Sequence, residues 1–475
     1  MSPATIALTM VACIVAGTII FALLGVHRVK MTPEQFLLGG RNFGTIFLWV
    51  LAAGEIYTIF TFLGAPGWAY GKGAPSYYIL SYGTIGFVIG YFLVPQIWRV
   101  GNERNLLTAA DFFVDRFNSR RLGAFVGSLH FFMIVPYVTL QLTGMQILLT
   151  IAGYGAYDTT VAVAIGFLVI AFFVFTVGLR GTAWASVIKD ALILAAVLFA
   201  GITLPVVFFG SPAAMFDHLL AAKPGWLTLH DGGSYPPAWF VSTVLLQGMG
   251  FFMGPHNIAA IYSAKSGDVL RRNMMILPVY SLVLLMIFFA GFTALVVMPG
   301  LKGTAADTAF VLVVQRHFPP WVLGAVAGTG CLAALIPVSA HLLGASSALA
   351  KNVLGDLFGI GTSERGRTRL LRALVLIIAV MAVALWIKNR ETLVGLLLLY
   401  YNGITQMFPG FVFGLAWRRV GAAAIAAGIV VGLAVAFLPF SPPFGLNSGA
   451  VALVANVLTV VAITLLLPAR KAHSA

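Results

Sequence analysis

Charged residues are scarce in this chain of 475 residues. Asp, Glu, Lys and Arg together make up only 9% of it, whereas 60% of the residues are hydrophobic and the mean hydropathy is +0.99. Soluble domains carry about 25% charged residues. The composition therefore excludes an ordinary soluble protein and indicates an integral membrane protein.

Cysteine and acidic residues are also few. Two cysteines, Cys13 and Cys331, both lie in apolar segments, which excludes a disulfide framework and a cysteine metal cluster. The net charge of +14 comes from basic residues dispersed over short loops, so nucleic-acid binding is not expected. We find no phosphate-binding loop, nucleophile elbow or set of metal ligands at catalytic spacing. The sequence therefore predicts neither an enzyme nor a bound cofactor.

Long apolar runs fill most of the chain. Because a membrane span needs about 20 apolar residues at 1.5 Å rise each, the sequence predicts an all-α integral membrane protein with about thirteen transmembrane helices. The predicted spans are 4–26, 45–71, 75–98, 122–152, 158–178, 184–210, 236–263, 273–298, 308–350, 371–387, 392–416, 420–440 and 447–468.

The basic residues predict the orientation of these spans. With the N-terminus outside and the C-terminus in the cytoplasm, 21 of the 28 Lys and Arg residues fall in cytoplasmic loops and the tail. Short loops rich in Lys and Arg face the cytoplasm. We therefore expect a multi-pass protein of the cell membrane, the inner or plasma membrane, that contacts the lipid bilayer.

Two apolar segments are interrupted by Gly and Pro. Residues 64–67 (GAPG) interrupt the second span, and residues 248–256 interrupt the seventh. Two five-span units at 45–210 and 236–417 would then have opposite orientations, which is typical of inverted-repeat transporters with a binding site near the midplane. We expect one transporter domain over 1–475, with a first span and loop at 1–44 and two further spans and a tail at 418–475.

A carboxylate lies beside the first interruption. Glu55 is predicted about 16 Å along its helix, near the bilayer centre. Gly54, Thr58 and Thr61 share a stripe that Glu55 and Tyr57 flank. A charge at this depth costs about 2.5–3.5 kcal/mol or more, so it is paired, protonated or functional. Surroundings of low dielectric favour the protonated carboxyl, which suits proton coupling; a structural hydrogen bond to a neighbouring helix is the alternative.

Other spans carry further polar residues. Lys189 and Asp190 are adjacent in the sixth span, and we expect them to meet different neighbours because adjacent helical residues do not face one another. His341 in the ninth span is expected to be a core histidine, since no carboxylate or cysteine at ligand spacing accompanies it. The predicted substrate-binding residues are Thr58, Thr61, Gly64, Tyr137, Gln141, Gln247, His256 and Asn402. Hydrogen bonding between helices is the alternative for each.

At this point the chain resembles the sodium:solute symporter family. The resemblance rests on FLGAPGWAYGKG, YVTLQLTGMQ, GLRGTAWASVIKD, MGPHNIAAIYSAKSGDVLRRN, LLGASSALAKNVLGDL and YNGITQMFPG, which run in order through both predicted repeats. It implies a LeuT-like fold with a five-plus-five inverted-repeat core and cation-coupled uptake of a small organic solute. GEIYTIFTFLG and GLRGTAWASVIKD look most like the bacterial monocarboxylate permeases.

The resemblance also implies an ion site, from which this chain departs. The family's sodium ligands would be backbone carbonyls at Gly54, Tyr57 and Ala333 and two hydroxyl side chains, but the hydroxyl positions are occupied by Ile336 and Pro337. The family's aspartate corresponds to Ser186, and Lys189 stands where glutamine is usual. In proton-coupled relatives of this fold a lysine ammonium occupies the cation position, so the same is suggested for Lys189.

The leading prediction is thus a secondary active symporter that takes up a small organic anion, such as lactate or pyruvate. Its coupling ion is H⁺ or Na⁺, with the proton favoured. The alternative within transport is sodium-coupled uptake of a sugar, an amino acid or a vitamin. From another class, a channel or a membrane sensor is possible, although paired broken helices favour alternating access. The oligomeric state is not predicted.

Overall fold

A computed structural model describes residues 1–26, 38, 40–361, 363–388 and 391–466 of the chain. The described residues form an all-α fold, as predicted. Its helices are α1 (Pro3–Val26), α2 (Thr45–Ile56), α3 (Ala65–Lys72), α4 (Tyr78–Glu103), α5 (Ala109–Phe117), α6 (Arg120–Ala152), α7 (Thr159–Leu198), α8 (Leu204–Phe209), α9 (Pro212–Ala222), α10 (Pro237–Gly250), α11 (Pro255–Ser263), α12 (Gly267–Leu282), α13 (Leu285–Val297), α14 (Ala309–His317), α15 (Pro320–Ala348), α16 (Glu364–Lys388), α17 (Leu393–Ile404), α18 (Phe408–Ala416), α19 (Ala422–Phe437) and α20 (Ser448–Leu466).

Nine helical segments of the described residues are long and apolar enough to cross a membrane, or ten if the bent pair Thr45–Ile56 and Phe60–Lys72 is one span. The nine are Pro3–Gly25, Ala74–Glu103, Arg120–Ala152, Thr159–Val177, Gly181–Phe209, Gly267–Val297, Pro320–Gly355, Gly366–Lys388 and Ser448–Leu466. The remaining predicted segments are helical but shorter or interrupted: 236–263 forms α10 and α11, 392–416 contains α17 and α18, and 420–440 contains α19.

The first broken helix is interrupted earlier than predicted. Helix α2 ends at Ile56, and Tyr57 leaves the helical conformation with φ −102° and ψ 83°. A π-helical turn at Phe60–Gly64 then leads into α3, and the two parts are bent by 44°. The Thr61 hydroxyl accepts a hydrogen bond from the Thr58 amide at 3.0 Å and so satisfies one exposed backbone group.

The prediction of a break at residues 64–67 is wrong, for two physical reasons. Pro66 lies at the start of α3, where its missing N–H costs little, and the wider π-helical turn before it absorbs the change in hydrogen bonding. The glycines serve close packing instead. A Cβ at Gly67 would lie 2.8 Å from the Asp307 Cα, and one at Gly64 would lie 3.3 Å from the Leu393 Cβ.

The second broken helix is interrupted where it was predicted to be. Helix α10 ends at Gly250, and α11 begins at Pro255. Two side chains bind carbonyls that the interruption frees from helical hydrogen bonding. The Asn257 amide donates to the Phe251 carbonyl at 2.6 Å, and His130 Nε2 lies 3.1 Å from the Met253 carbonyl. These two carbonyls are thus satisfied by protein groups, as a low-dielectric environment requires.

The two broken helices run in opposite directions. The Phe43 amide donates to the Ser263 carbonyl and the Lys265 amide donates to the Phe43 carbonyl, both at 3.0 Å. These bonds place the start of α2 beside the end of α11. At the other end, the Ala74 amide after α3 donates to the Trp226 carbonyl, in the loop before α10, at 2.8 Å. The two interruptions consequently meet inside the protein.

Helix α15 forms the centre of the core. It is buried along most of its length and packs against α1, α6 and α7. Gly324 allows the contact with α1, because a Cβ there would lie 2.6 Å from the Ala7 carbonyl oxygen. Pro337 lies within α15 and has no N–H to donate to the carbonyl of Ala333 one turn earlier. That carbonyl is therefore left without its usual helical donor.

Asp307 should make the stability of the protein depend on pH. This buried carboxyl joins the α3 region to the start of α17: one oxygen accepts a hydrogen bond from the Leu393 amide at 2.9 Å, and the other has no hydrogen-bond partner among the described residues. Burial raises its pKa from 3.8 to about 7. The folded protein therefore holds this proton more tightly than the unfolded chain does, so the resulting stability is complete below about pH 4 and is lost as the pH rises through 7.

We expect Asp307→Asn to reduce the pH-dependent change in the free energy of unfolding by up to about 4 kcal/mol. Thermal unfolding of the detergent-solubilised protein between acidic and mildly alkaline pH measures it. Asp231→Asn, in the exposed stretch before α10, is the control and should unfold like the parent protein. Parallel pH profiles for Asp307→Asn and the parent would contradict the assignment.

Candidate functional site

The site is centred on Glu55, in the last turn of α2 before the interruption. Its side chain is only 13% exposed and points into the protein, where Oε2 lies 3.2 Å from His256 Nε2 and 3.9 Å from His341 Nδ1. His256 comes from the first turn of α11, and His341 from the middle of α15. The interruptions of both broken helices thus lie next to this carboxylate.

His341 is part of a stack of three rings. Its imidazole lies 3.8 Å from the Tyr137 ring at an interplanar angle of 15°, and 3.3 Å from the His256 ring at 25°. His341 is buried and its Nδ1 lies 2.9 Å from the Pro337 carbonyl, as expected of a core histidine. The reason given for that expectation is wrong, because a carboxylate does lie beside the ring. No spacing along the sequence could show this, since Glu55 reaches His341 from a helix that is distant in the chain.

Two small cavities meet at this cluster. The central cavity, of about 30 Å³, is bordered by Glu55, Thr58, Tyr137, His256, His341 and Tyr400, among others. A second cavity, also of about 30 Å³, extends from Glu55, His256 and Asn257 toward Leu48, Leu270 and Asn273. Each has room for about two water molecules. Glu55, His256 and Asn257 line both cavities and therefore form the partition between them.

Lys189, from α7, contacts Gly54, the residue before Glu55 in α2. Its side chain is fully buried, and Nζ donates to the Gly54 carbonyl at 2.8 Å. Nζ also lies 3.1 Å from Asp190 Oδ1, so the expectation that Lys189 and Asp190 meet different neighbours is wrong: the flexible lysine side chain reaches back to the adjacent carboxylate. A Cβ at Gly54 would lie 2.9 Å from Nζ and 3.5 Å from the Ser186 hydroxyl, so a larger residue there would displace the lysine ammonium.

The facing part of α15 contains the other predicted ion-site positions. Ala333, Ile336 and Pro337 are all buried there. The Ile336 carbonyl accepts a hydrogen bond from the Ser339 hydroxyl at 2.7 Å, and that hydroxyl lies 3.2 Å from the Thr182 hydroxyl of α7. Sequence reasoning missed this pair of hydroxyls.

Only some of the predicted substrate-binding residues border the central cavity. Thr58, Tyr137 and His256 border the central cavity. Thr61 uses its hydroxyl in the α2 interruption, and Gly64 packs on α17. Asn402 instead lines a peripheral cavity of about 840 Å³ beside Trp239 and Ser448. The physical reason is that α17 turns this residue toward α20, where its amide donates to Ser448 Oγ at 3.3 Å.

Several buried polar atoms near the site have no hydrogen-bond partner among the described residues. They belong to Tyr137 (Oη), Gln141 (Oε1 and Nε2), Gln247 (Oε1 and Nε2) and His256 (Nδ1). Buried polar groups are nearly always satisfied, so such atoms are candidates for contacts with water or solute. Tyr57 differs, because its hydroxyl donates to the Tyr280 carbonyl at 3.3 Å.

Sequence reasoning also missed aromatic residues of the central cavity. Tyr82 from α4 and Tyr400 from α17 border it together with Tyr401. The adjacent tyrosines at 400 and 401 in an apolar helix are the signal that could have been used, because a tyrosine hydroxyl in such a helix needs a polar partner.

A helical bundle with two opposed broken helices, and buried ionisable residues where they meet, defines a multi-pass membrane transporter. The model of the sodium:solute symporter family matches residues 36–432, and the chain belongs to this family. The recognition made from the sequence motifs is thereby confirmed.

Relatives support this assignment. The chain is 39% identical to the uncharacterized symporter YhjB of Bacillus subtilis (strain 168), with 97% of this chain and 98% of the relative covered. It is 27% identical to the monocarboxylate transport permease protein of Rhizobium johnstonii, with 92% and 91% covered. In fold it is similar to a Na⁺-coupled sialic acid symporter solved in a substrate-bound outward-open state, with a TM-score of 0.81, 15% identity and 99% of both chains covered.

Proposed function

We propose that this protein is a secondary active symporter that takes up a small monocarboxylate, such as lactate or pyruvate, together with a proton. The observation that carries the proton coupling is the 2.8 Å hydrogen bond from Lys189 Nζ to the Gly54 carbonyl. An ammonium that donates to that carbonyl occupies an oxygen that sodium would need as a ligand. Ile336 and Pro337 offer no side-chain oxygen, so a sodium ion would lack two of its expected hard ligands.

The charges of the site support one proton as the coupling ion. With Glu55, Lys189 and Asp190 all ionised, the group carries one net negative charge, which a single proton on Glu55 neutralises. An anionic substrate and a proton together add no net charge, so the loaded site carries the same charge as the empty one. In this proposal Glu55 binds the proton, while Lys189 and Asp190 hold the fixed charges next to it.

The substrate class is supported by the surroundings of the central cavity and by one relative. Thr58, Tyr137 and His256 supply hydroxyl and imidazole groups that can bind a carboxylate. The printed name of the Rhizobium johnstonii relative is that of a monocarboxylate permease. The cavity has room for about two water molecules, so we infer that the structure represents a closed state that must open to admit a substrate.

The proposal includes an architecture of thirteen transmembrane helices around a five-plus-five inverted-repeat core. The antiparallel course of the two broken helices supports it. The repeats would span residues 45–210 and 236–417 of a single domain, flanked by 1–44 and 418–475. The protein would lie in the cell membrane with its N-terminus outside and its C-terminus in the cytoplasm, because that arrangement places most Lys and Arg residues inside.

Sodium coupling with another solute is the second candidate. The structural neighbour is a Na⁺-coupled symporter, and the Ala333 carbonyl lacks its usual helical donor because Pro337 follows one turn later. The hydroxyls of Ser339 and Thr182 provide further hard oxygen atoms on the facing helices. In this candidate carbonyls, these hydroxyls and water would bind sodium.

Reconstituted vesicles with independently imposed gradients separate the two candidates. We expect an inwardly directed proton gradient to drive accumulation of labelled lactate, with no change when choline replaces sodium. Uptake that requires sodium and ignores the pH gradient would favour the second candidate. Counterflow of labelled substrate against an excess of unlabelled substrate is expected for a carrier, whereas its absence with rapid equilibration would indicate a channel.

A further inference from the structure

Three metal-ligating side chains lie close together, those of Glu55, His256 and His341. The proposed coupling mechanism does not use them as a group. The three can each offer one ligand atom, and these atoms lie within 4.8 Å of one another. The three side chains are 13%, 5% and 1% exposed. The other ring nitrogen of His256, Nδ1, is buried and has no hydrogen-bond partner among the described residues, so the imidazole can turn without losing a hydrogen bond at that atom.

We propose that Glu55, His256 and His341 form a binding site for a divalent transition-metal ion such as Zn²⁺, and that an ion bound there blocks transport. Two imidazoles and one carboxylate are a donor set that suits Zn²⁺, Cu²⁺, Ni²⁺ or Fe²⁺. They suit Mg²⁺ and Ca²⁺ poorly, because those ions are bound by oxygen.

The distances fit a single ion. Zinc binds nitrogen and carboxylate oxygen at about 2.0–2.2 Å, so two of its ligands lie about 3.0–4.0 Å apart at ordinary coordination angles. Glu55 Oε2 is 3.2 Å from His256 Nε2 and 3.9 Å from His341 Nδ1, both inside this range. The carboxylate therefore lies beside both imidazoles, at separations that an ion can bridge.

Binding requires small rotations of the two imidazoles. In the stacked arrangement the two ring centroids are 3.3 Å apart at an interplanar angle of 25°, so the ring nitrogens must turn toward a common point. Gly254 leaves space beside His256, because a Cβ there would lie 2.9 Å from Nδ1. His341 Nδ1 also lies 2.9 Å from the Pro337 carbonyl, and its contact with that oxygen is given up when the nitrogen binds the ion.

The position of the site explains why occupancy blocks transport. Glu55 and His256 form part of the partition between the central cavity and the second cavity. A bound ion ties α2, α11 and α15 together at this partition. It also occupies the carboxylate that faces both cavities. Passage between the cavities requires these helices to separate, so the ion holds the partition closed.

Calorimetric titration of ZnCl₂ into the full-length, detergent-solubilised protein without a polyhistidine tag tests the site directly. We expect one ion per chain. His256→Ala and His341→Phe should each weaken binding by about 10-fold or more. His341→Phe is the stringent variant, because the phenyl ring retains stacking with Tyr137 while losing both nitrogens. Co²⁺ provides a second readout, since its visible absorption spectrum changes when nitrogen ligands replace water.

His130→Ala is the matched control. His130 is fully buried near the same interruption, but its Nε2 contacts the Met253 carbonyl and it lies outside the cluster. We expect this variant to bind Zn²⁺ like the parent protein. Parent-like binding by both His256→Ala and His341→Phe, or equal weakening by His130→Ala, would overturn the site.

The block is tested separately by substrate uptake into vesicles. Each protein is compared with its own uptake without Zn²⁺: a concentration that saturates the calorimetric site should abolish uptake by the parent protein, and the same concentration should not change the uptake that His341→Phe retains. Unchanged uptake by the parent at saturation would refute the block. The titration uses no substrate and no gradient, so its outcome does not depend on whether the proposed proton coupling is correct.

Discussion

Glu55→Gln is expected to reduce acid-stimulated lactate uptake to the level of protein-free vesicles. The amide has nearly the same shape as the carboxyl and can still contact His256 Nε2, which lies 3.2 Å from Glu55 Oε2 in the parent protein. It cannot bind and release a proton at any physiological pH, so the variant cannot couple uptake to the pH gradient. Uptake of labelled lactate at imposed pH gradients measures the effect.

Exchange provides an internal control for this variant. Exchange of labelled for unlabelled lactate needs no net proton movement, so Glu55→Gln should retain it if the fold is intact. Glu103→Gln, at the exposed end of α4, should behave like the parent protein. Full retention of the pH dependence by Glu55→Gln would remove Glu55 from the mechanism.

Lys189→Gln is expected to abolish uptake and to destabilise the protein by about 3–5 kcal/mol. The substitution leaves Asp190, 7% exposed, as a buried carboxylate without its ion-pair partner. It also removes the hydrogen bond to the Gly54 carbonyl beside the interruption of α2. Thermal unfolding in detergent and gradient-driven uptake measure the two effects.

The double variant Lys189→Gln with Asp190→Asn separates stability from function. It removes both buried charges, so it should recover most of the lost stability. We expect uptake to stay absent, because the fixed cation next to Glu55 is still missing. A double variant with parent-like, pH-driven uptake would show that Lys189 serves only as a partner for Asp190.

Local Gly and Pro residues predicted only one of the two helix interruptions correctly. Residues 251–254 interrupt the second broken helix where Gly and Pro cluster, as expected. The first interruption instead follows Ile56, in a stretch without Gly or Pro. The reason is that Pro66 is tolerated in the first turn of α3, whereas the actual break is stabilised by the hydroxyls of Thr58 and Thr61. Gly and Pro permit a break but do not require one.

The sequence by itself determined that the protein spans a membrane, because apolar length and scarce charge follow from hydrocarbon thickness and the cost of buried ions. It also identified Glu55 and Lys189 as buried ionisable residues. Only the tertiary structure decided what these groups contact. Lys189 meets the Gly54 carbonyl, and Glu55 meets His256 and His341, through the packing and rotation of helices that are distant in the chain. Hydropathy and spacing along one helix report how deep a side chain lies, but the rotation and packing of neighbouring helices select its partner.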